Sequence, residues 1–317
     1  MRAIAINEFG GREKLELMDL PVPDPGEGEI LVRANGAGVN PVDWKIREGW
    51  LKDAFPHEFP VILGWEVSGT VEKAGPGAER FEPGMEVYAY TRKPVIHDGS
   101  YAEYVTLDEA NLAMKPGNAS FEEAAAIPLA CLTAWQSVFD AGKLQNNQSI
   151  LVHAAAGGVG SFAVQLARNA GATVIGTASG RNHEYLKQLG TDYLIDYNTT
   201  RVDEAVAALF PEGVDLVLDC VGGSTLNESV KVVKKGGILA SIVDAAAIKN
   251  IADQGVNAVH VFVEPDAEQL EKIARMVDNG QLNVHLDAVF PLEKAKQAHE
   301  KIETGHTRGK IVLRIKD

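Results

Sequence analysis

Hydrophobic and polar residues alternate in short runs through the first third of the 317-residue chain. Alternation with a period of two, interrupted by Gly and Pro, is typical of antiparallel strands. The runs are "RAIAI", "EILVRA", "VSGTVEKAG", "EVYAY" and "YAEYVTL". They predict a mostly β domain at the start of the chain.

The spacing of the apolar residues becomes helical near residue 118. Ser120 followed by Glu123 has the signature of a capping box, and Pro128 predicts a kink or a break in the helix. From residue 149, continuous apolar runs alternate with helical patterns. The runs are "SILVHA", "TVIGTA", "DYLIDY", "VDLVLDCV", "GGILASIV" and "VNAVHVFV". This alternation predicts an α/β fold with a parallel, doubly wound sheet.

A glycine-rich loop, "HAAAGGVG" at residues 153–160, joins the first of these strands to a helix. Its spacing is that of a dinucleotide-binding loop, with Ala155 in place of the first glycine. Gly157 would let the backbone approach a pyrophosphate, and Gly160 would let helix and strand pack closely. Gly158 and Val159, which open the helix, would offer backbone amides to the phosphates. The alternative is a tight turn that binds nothing.

The second strand ends in "TASGRN", and this ending bears on the choice of cofactor. A site for NAD carries Asp or Glu about 20 residues after the loop, where it binds the ribose 2′-hydroxyl. Ser179, Arg181 and Asn182 stand there instead, and a guanidinium and a hydroxyl suit a 2′-phosphate. The motif therefore favours NADPH. The alternative is that Ser179 and Asn182 cap the next helix and that Arg181 is a solvated residue of its first turn.

Composition argues against some classes of function. The net charge of −14 argues against nucleic acid as a partner. The most apolar stretch, residues 124–135, contains Pro128 and is too short to span a bilayer, so no membrane partner is expected. The start of the chain lacks the features of a signal peptide, and two cysteines fit a reducing cytoplasm.

The motifs together resemble the medium-chain dehydrogenase/reductase superfamily, in its zinc-independent quinone oxidoreductase branch. The resemblance covers essentially the whole chain. It rests on "GVNPVDWKIREG" (38–49), "LGWEVSGTVEKAGPG" (63–77), "HAAAGGVG", "LIDY" and "HTRGKIVL" (306–313). It implies a GroES-like catalytic domain, mostly β and split in sequence, around a Rossmann domain that binds NADPH, with quinones or α,β-unsaturated carbonyls as acceptors. Because the tail after residue 264 is too short for a third domain, we expect the catalytic domain at 1–122 and 265–317 and the Rossmann domain at 123–264.

The resemblance also implies roles for single residues. Asn40, in "VNPVD", would lie near the nicotinamide and serve as the first catalytic candidate; an Asn-Pro turn is the alternative. Thr133 would also lie near the nicotinamide, although a helical hydroxyl often bonds only a preceding carbonyl. Tyr197 would lie beside the 2′-phosphate, and Lys310 would approach the cofactor from the returning tail. The residues expected at the carboxyl ends of the later strands, around the nicotinamide, are Val221, Ile242, Val243, Phe262 and Val263.

The chain departs from the zinc enzymes of the same superfamily at the metal ligands. Asn40, Trp65 and Leu129 stand where three ligands would be, so no metal is expected. Hydride transfer to a conjugated acceptor places charge on a remote oxygen and needs only a hydrogen-bond donor. Lys45 is a candidate for that donor, with a solvated surface lysine as the alternative.

Two other functions remain open from the sequence. One is a metal-free aldehyde or alcohol reductase on the same scaffold, and the other is an NADPH-binding sensor or partner protein with little turnover. The apolar run 256–263, expected at the edge of the parallel sheet, predicts a homodimer formed by edge pairing.

Overall fold

The computed structural model describes residues 1–253 and 255–316, which form two compact units. The first unit is Met1–Leu129, Pro265–Gly280 and Val284–Asp317. The second is Ala130–Glu264 with Gln281–Asn283. The sequence sets the first boundary after residue 122, whereas the structure sets it after Leu129. The difference arises because the helix that follows Ser120 packs on strands of the first unit.

The strands are β1 (Arg2–Ile6), β2 (Glu16–Asp19), β3 (Glu29–Val39), β4 (Val61–Ile62), β5 (Glu66–Ala74), β6 (Glu86–Tyr90), β7 (Tyr104–Asp108), β8 (Leu112–Met114), β9 (Ser149–Val152), β10 (Thr173–Thr177), β11 (Tyr193–Ile195), β12 (Val214–Asp219), β13 (Val233–Ser241), β14 (Ala258–His260), β15 (Leu286–Pro291) and β16 (Lys310–Arg314). The α-helices are α1 (Pro41–Arg47), α2 (Phe121–Ala125), α3 (Pro128–Trp135), α4 (Gly158–Asn169), α5 (His183–Leu189), α6 (Val202–Leu209), α7 (Gly223–Ser229), α8 (Ala245–Ala252), α9 (Ala267–Asp278) and α10 (Ala295–Glu303).

The first unit is mostly antiparallel. Its larger sheet has the order β15-β16-β3-β5-β6-β8, with β7 also paired to β3, and a smaller sheet has the order β2-β1-β4. The pair β15–β16 is parallel, whereas β16 runs antiparallel to β3. The tail of the chain therefore returns to the first unit and pairs with β3, as the sequence predicts for the domain.

The second unit is a six-stranded parallel sheet in the order β11-β10-β9-β12-β13-β14. The order reverses between β9 and β12, which is the doubly wound arrangement of dinucleotide-binding folds. Its core combines strand residues such as Leu151, Ile175 and Val217 with helix residues such as Leu226. The predicted α/β fold, with a Rossmann sheet in one unit and a mostly β structure in the other, is confirmed.

Local signals in the sequence account for several boundaries. Ser120 and Glu123 form the capping box of α2, and Pro128 separates α2 from α3. Gly190 adopts φ +99° where α5 ends, a conformation that favours glycine. The run 256–263 gives a strand of only three residues, Ala258–His260, at the edge of the sheet. Among the described residues, no helix is long and apolar enough to cross a membrane.

Candidate functional site

The carboxyl edge of the parallel sheet collects most of the predicted cofactor residues in the second unit. Because parallel strands end at the same edge, the residues that follow each strand lie along it. Six strand ends contribute to this edge: Ala155 to Gly160 follow β9, Ser179 and Arg181 follow β10, Tyr197 follows β11, Val221 follows β12, Ile242 and Val243 follow β13, and Phe262 and Val263 follow β14. The structure thus brings these residues to the edge at which open α/β sheets bind ligands.

The loop after β9 leaves the start of α4 open. Gly157 is the N-cap of this helix, and no side chain caps it. The first amides of any α-helix lack an acceptor within the helix, so those of Gly158, Val159 and Gly160 are available to an anion. The geometry fits a pyrophosphate held by backbone alone.

Packing explains the small residues of the loop. A Cβ on Gly160 would lie 2.4 Å from the carbonyl oxygen of Ala154 and 2.7 Å from Cα of Ala155, closer than any side chain tolerates. Ala155 itself replaces a glycine of the usual pattern, and β10 makes room for it. A Cβ added at Gly176 would lie 3.1 Å from the Ala155 methyl, so a glycine on β10 compensates for the alanine in the loop.

His153, a buried histidine at the start of this loop, bonds to side chains on β10 and α7. His153 Nε2 lies 2.8 Å from Ser229 Oγ, and Nδ1 lies 3.3 Å from Thr177 Oγ1. Ser229 donates its own hydroxyl to the carbonyl of Thr225, so His153 carries its proton on Nε2 and donates it to Ser229. Burial lowers the pKa of His153 to about 4, so the ring is neutral at physiological pH. Sequence reasoning missed this role.

The turn after β10 presents Arg181 to solvent. Ser179 and Asn182 each precede a helical segment, yet neither side chain caps it. The structure therefore lacks the capping bonds of the alternative considered for this motif, but Arg181 has the solvated position which that alternative gives it. Arg181 is exposed and makes no hydrogen bond or ion pair with any residue that the structure describes.

Asp196, a residue that sequence reasoning missed, holds this turn in place. Its Oδ2 accepts a 2.8 Å hydrogen bond from the amide of Gly180, and its Oδ1 accepts bonds from the amide and side chain of Asn198. These donors, the Asn198 amide first, lower the pKa of Asp196. Tyr197, the next residue, is 51% exposed.

Apolar side chains are exposed along one half of the same edge, after β12, β13 and β14. Val221, Val243 and Phe262 are 49%, 40% and 42% exposed, which is unusual for three neighbouring strand ends. Asp219, fully buried, accepts hydrogen bonds from the amides of Val221 and Gly222 and fixes the first of these positions.

The remaining predicted residues of the second unit are less accessible. Ser241 Oγ donates to Asp219 Oδ2 over 2.7 Å, which ties the ends of β12 and β13 together beside Ile242. Ile242 is half-buried and Val263 is 8% exposed. Thr133 lies on α3 and is 5% exposed.

In the first unit, Asn40, Glu66 and Lys310 form a buried, hydrogen-bonded cluster. Lys310 Nζ lies 2.5 Å from both Asn40 Oδ1 and Glu66 Oε1, and Asn40 Nδ2 donates to Glu66 Oε1 over 2.7 Å. The second oxygen of Glu66 accepts the amide of Leu129 at 2.8 Å. None of the three side chains is more than a few per cent exposed. The structure thus brings Lys310 into contact with Asn40, a pairing that the sequence alone does not reveal.

Strand pairing explains why these three residues meet. In the antiparallel pair of β16 and β3, Ile311 lies opposite Val39, so the preceding Lys310 lies beside the following Asn40. Gly38 leaves the space for the carboxylate, because a Cβ there would lie 2.1 Å from Glu66 Oε1.

A second buried carboxylate adjoins this cluster. Asp43 Oδ2 accepts the amide of Asn40 at 2.7 Å and the hydroxyl of Tyr101 at 2.9 Å. Its Oδ1 is buried without a hydrogen-bond donor among the described residues. Burial raises the pKa of Asp43 to about 7, against the lowering effect of these two donors.

Lys45 lies on α1 in a partly buried position. Its Nζ is 5.8 Å from the centre of the Trp44 ring, and burial lowers its pKa. It forms no ion pair with any residue in the described part of the chain. Its predicted role as a proton or hydrogen-bond donor stays a prediction.

The positions of metal ligands in the related zinc enzymes hold other groups here. Asn40 binds Lys310, Trp65 is 5% exposed and packs near Tyr90, and Leu129 donates its amide to Glu66. Within residues 1–253 and 255–316, no three His, Cys, Asp or Glu side chains lie close enough together to hold a metal ion.

These features define a two-unit protein with a dinucleotide-binding edge in one unit and a buried ionic cluster in the other. Two family models match it: the alcohol dehydrogenase GroES-like domain over residues 26–117 and the zinc-binding dehydrogenase domain over residues 189–313. The chain is 34% identical to the chloroplast envelope quinone oxidoreductase homolog of Arabidopsis thaliana, over 99% of this chain and 98% of that protein. It is 33% identical to the NADPH-dependent alkenal/one oxidoreductase of the same plant, over 99% of this chain and 79% of that protein.

Solved structures agree with this placement. The quinone oxidoreductase from Coxiella burnetii has a TM-score of 0.91 and 34% identity, covering 100% of this chain and 99% of that one. A structure described as an NAD-dependent alcohol dehydrogenase has a TM-score of 0.90 and 35% identity, with 100% of both chains covered. The chain therefore belongs to the medium-chain dehydrogenase/reductase superfamily, and its predicted resemblance to the quinone oxidoreductases and enone reductases is confirmed.

Proposed function

We propose that the protein is an NADPH-dependent reductase that delivers hydride to quinones or α,β-unsaturated carbonyls without a metal. The observation that carries this proposal is the carboxyl edge of the parallel sheet. There an uncapped, glycine-lined helix start, an exposed arginine and a row of exposed apolar side chains occur together. Each feature suits one part of the cofactor.

The residues present fit the cofactor. The amides at the start of α4 would hold the pyrophosphate, and Arg181 with Ser179 and Tyr197 would hold the 2′-phosphate. Val221, Val243 and Phe262 would cover the nicotinamide and exclude water from it. When bound, NADPH supplies a hydride.

The residues at and around the metal-ligand positions of the zinc enzymes support this class of hydride acceptor. An alcohol dehydrogenase that uses zinc stabilises an alkoxide with a Lewis acid. Here Asn40, Glu66 and Lys310 offer a hydrogen-bonded ionic cluster, which suits an acceptor whose charge is spread by conjugation. Lys45, whose pKa is lowered by burial, is the candidate for returning a proton.

A substrate panel tests the proposal. We expect consumption of NADPH with quinones and alkenals, slower consumption with NADH, and little with simple aldehydes. Activity that is confined to simple aldehydes and their alcohols would favour the alcohol-reductase alternative, and no turnover of any of them would favour the sensor.

Metal analysis tests the proposal that the reaction proceeds without a metal. We expect elemental analysis to find less than stoichiometric zinc and chelator to leave the activity unchanged. Stoichiometric zinc whose removal abolishes turnover would contradict the proposal.

We also propose that two copies pair through β14. This strand ends the six-stranded sheet, and all three of its residues are partly exposed. An apolar edge of this kind is normally paired or covered. Light scattering should give a dimer at micromolar concentration and a smaller species for Val259→Pro, because proline removes an edge donor. A monomeric wild type would contradict the pairing.

Finally, we propose a cytoplasmic location, which the two cysteines of the sequence support. The two plant relatives carry chloroplast names, so the alternative is an organelle. Fractionation of the native host distinguishes the two, and recovery with an organelle would contradict the proposal.

A further inference from the structure

The hydrogen bonds around Asn40 fix which way its carboxamide points. Lys310 has only hydrogens to offer, so the atom 2.5 Å from its Nζ is the amide oxygen. Glu66 Oε1 accepts in the same cluster, so the atom 2.7 Å from it is the amide nitrogen. A flipped amide would set nitrogen against ammonium and oxygen against carboxylate. The orientation is therefore determined by two charges.

This orientation leaves Asn40 with a single group to offer to a ligand. Its oxygen is engaged by an ammonium, and one of the two hydrogens on Nδ2 is engaged by Glu66. The second hydrogen on Nδ2 has no acceptor in the described part of the chain. Asn40 is thus a donor and not an acceptor.

The two charges also strengthen that donor. Hydrogen bonds in a chain polarise one another, and the effect is larger in a low-dielectric interior. An ammonium on the amide oxygen draws electron density away from the nitrogen. Because Lys310, Glu66 and Asn40 are all buried, solvent does not screen this effect.

We propose that Glu66 and Lys310 are positioning residues that hold the Asn40 carboxamide as a hydrogen-bond donor for the acceptor oxygen on which negative charge develops. This inference rests on the proposed reductase function and assigns the oxygen of a quinone or enone to Asn40 Nδ2. A fixed donor of this kind stabilises developing charge without rearranging during the reaction.

A redox-inert phenol tests the proposal in the absence of turnover. 4-Nitrophenol carries its charge on an oxygen conjugated to a ring, as a hydroquinone anion does, and its absorbance reports whether it is ionised. We expect the wild type to bind the phenolate in preference to the phenol, so that the pKa of bound nitrophenol lies below that of free nitrophenol.

Two variants remove the arrangement. Asn40→Leu keeps the side-chain volume but has no donor, and it should lower the preference for phenolate about tenfold, as expected for one hydrogen bond to a charged group. The double variant Lys310→Met with Glu66→Gln removes both charges together, which avoids leaving one buried charge unpaired. It should lower the preference by a similar factor, because its Asn40 amide is free to flip.

A matched control separates positioning from simple loss of a buried lysine. Lys115 belongs to the same unit and its ammonium is also largely buried, bonded to the carbonyl of Ala119 and to Glu86. Lys115→Met should leave the preference for phenolate unchanged. Lys310→Arg keeps a cationic donor at this position. It should therefore retain part of the preference for phenolate that the double variant loses.

The outcomes are distinguishable from those of the substrate panel. No binding of phenolate, or an unchanged preference in Asn40→Leu and in the double variant, would overturn this inference even if the wild type reduces quinones. Binding of phenolate by the wild type, with the expected losses of preference in the variants, would support Asn40 as the donor even if the substrate panel shows that the proposed reduction is wrong.

Discussion

Removing the Arg181 guanidinium should change the choice of cofactor without changing the stability of the fold. Arg181 is exposed and has no hydrogen-bond or ion-pair partner among the residues that the structure describes. Arg181→Ala should therefore alter the free energy of unfolding by less than about 0.5 kcal/mol. Any effect on cofactor binding then reports contact with the cofactor itself.

The magnitude follows from the exposure of the side chain. A hydrogen bond to a charged group contributes about 1.5–3 kcal/mol, and exposure to solvent favours the lower end of that range. Since about 1.4 kcal/mol is a factor of ten in affinity, Arg181→Ala should weaken NADPH about tenfold. NADH has no 2′-phosphate and should bind almost as before. Ser179→Asp should go further, because a carboxylate repels the phosphate and can accept the ribose hydroxyl of NADH.

The assay is the ratio of kcat/KM for NADPH and NADH, together with dissociation constants from cofactor fluorescence. Arg201→Ala is the matched control: Arg201 is another exposed arginine of the same unit, but it is paired with Asp203. It removes the same charge and should leave the ratio unchanged. A wild type that prefers NADH, or an equal loss for both cofactors in Arg181→Ala, would refute the reasoning.

Three further predictions concern the framework of the site. Gly160→Ala should weaken NADPH binding and lower the free energy of unfolding by about 1–3 kcal/mol, because its Cβ would lie 2.4 Å from a carbonyl oxygen; Gly117→Ala, which has ordinary space, should be neutral in both measurements. The pKa of His153 is about 4 in the folded protein, against 6.5 for a free histidine, so about 3 kcal/mol of stability should be present above pH 6.5 and lost as the pH falls towards 4. Urea unfolding at several pH values should show a shallower loss of stability in His153→Gln. An identical pH profile in the wild type and the variant would contradict this prediction. Arg47→Met should lower the free energy of unfolding by about 3 kcal/mol or more, because the Arg47 side chain is 1% exposed and is bonded to Glu303; a loss below about 1 kcal/mol by urea unfolding would show that the pair is not needed.

The local sequence pattern was sufficient to predict those strands and helices that carry their own signal. The strands of the parallel sheet are continuous apolar runs, and the glycine loop marks the first strand-to-helix turn, so the sequence predicts the six strands and the parallel, doubly wound sheet correctly. The helix α8 was not foreseen, although its buried residues Ile248 and Ile251 recur at helical spacing after three alanines. The edge strand was overestimated, because an apolar run indicates burial but does not show how many residues find a pairing partner.

The site of the first unit was predictable only in part, for a physical reason. Asn40 could be named from its motif, but its contact with Lys310 joins residues 270 positions apart. That contact exists because the last strand pairs with β3, and no local spacing encodes it. A charged Glu66 inside an otherwise apolar run, "LGWEVSG", was the one available signal for the cluster.

The split first unit has a consequence for how the chain is made. The second unit is almost continuous in sequence, from Ala130 to Glu264, so its six strands are all synthesised before β16. The first unit receives β16, the neighbour of its central strand β3, only with residues 310–314. Until then the carboxylate of Glu66 lacks its cation. The strands of the second unit are therefore synthesised before Lys310, the lysine that pairs with the buried carboxylate of the first unit.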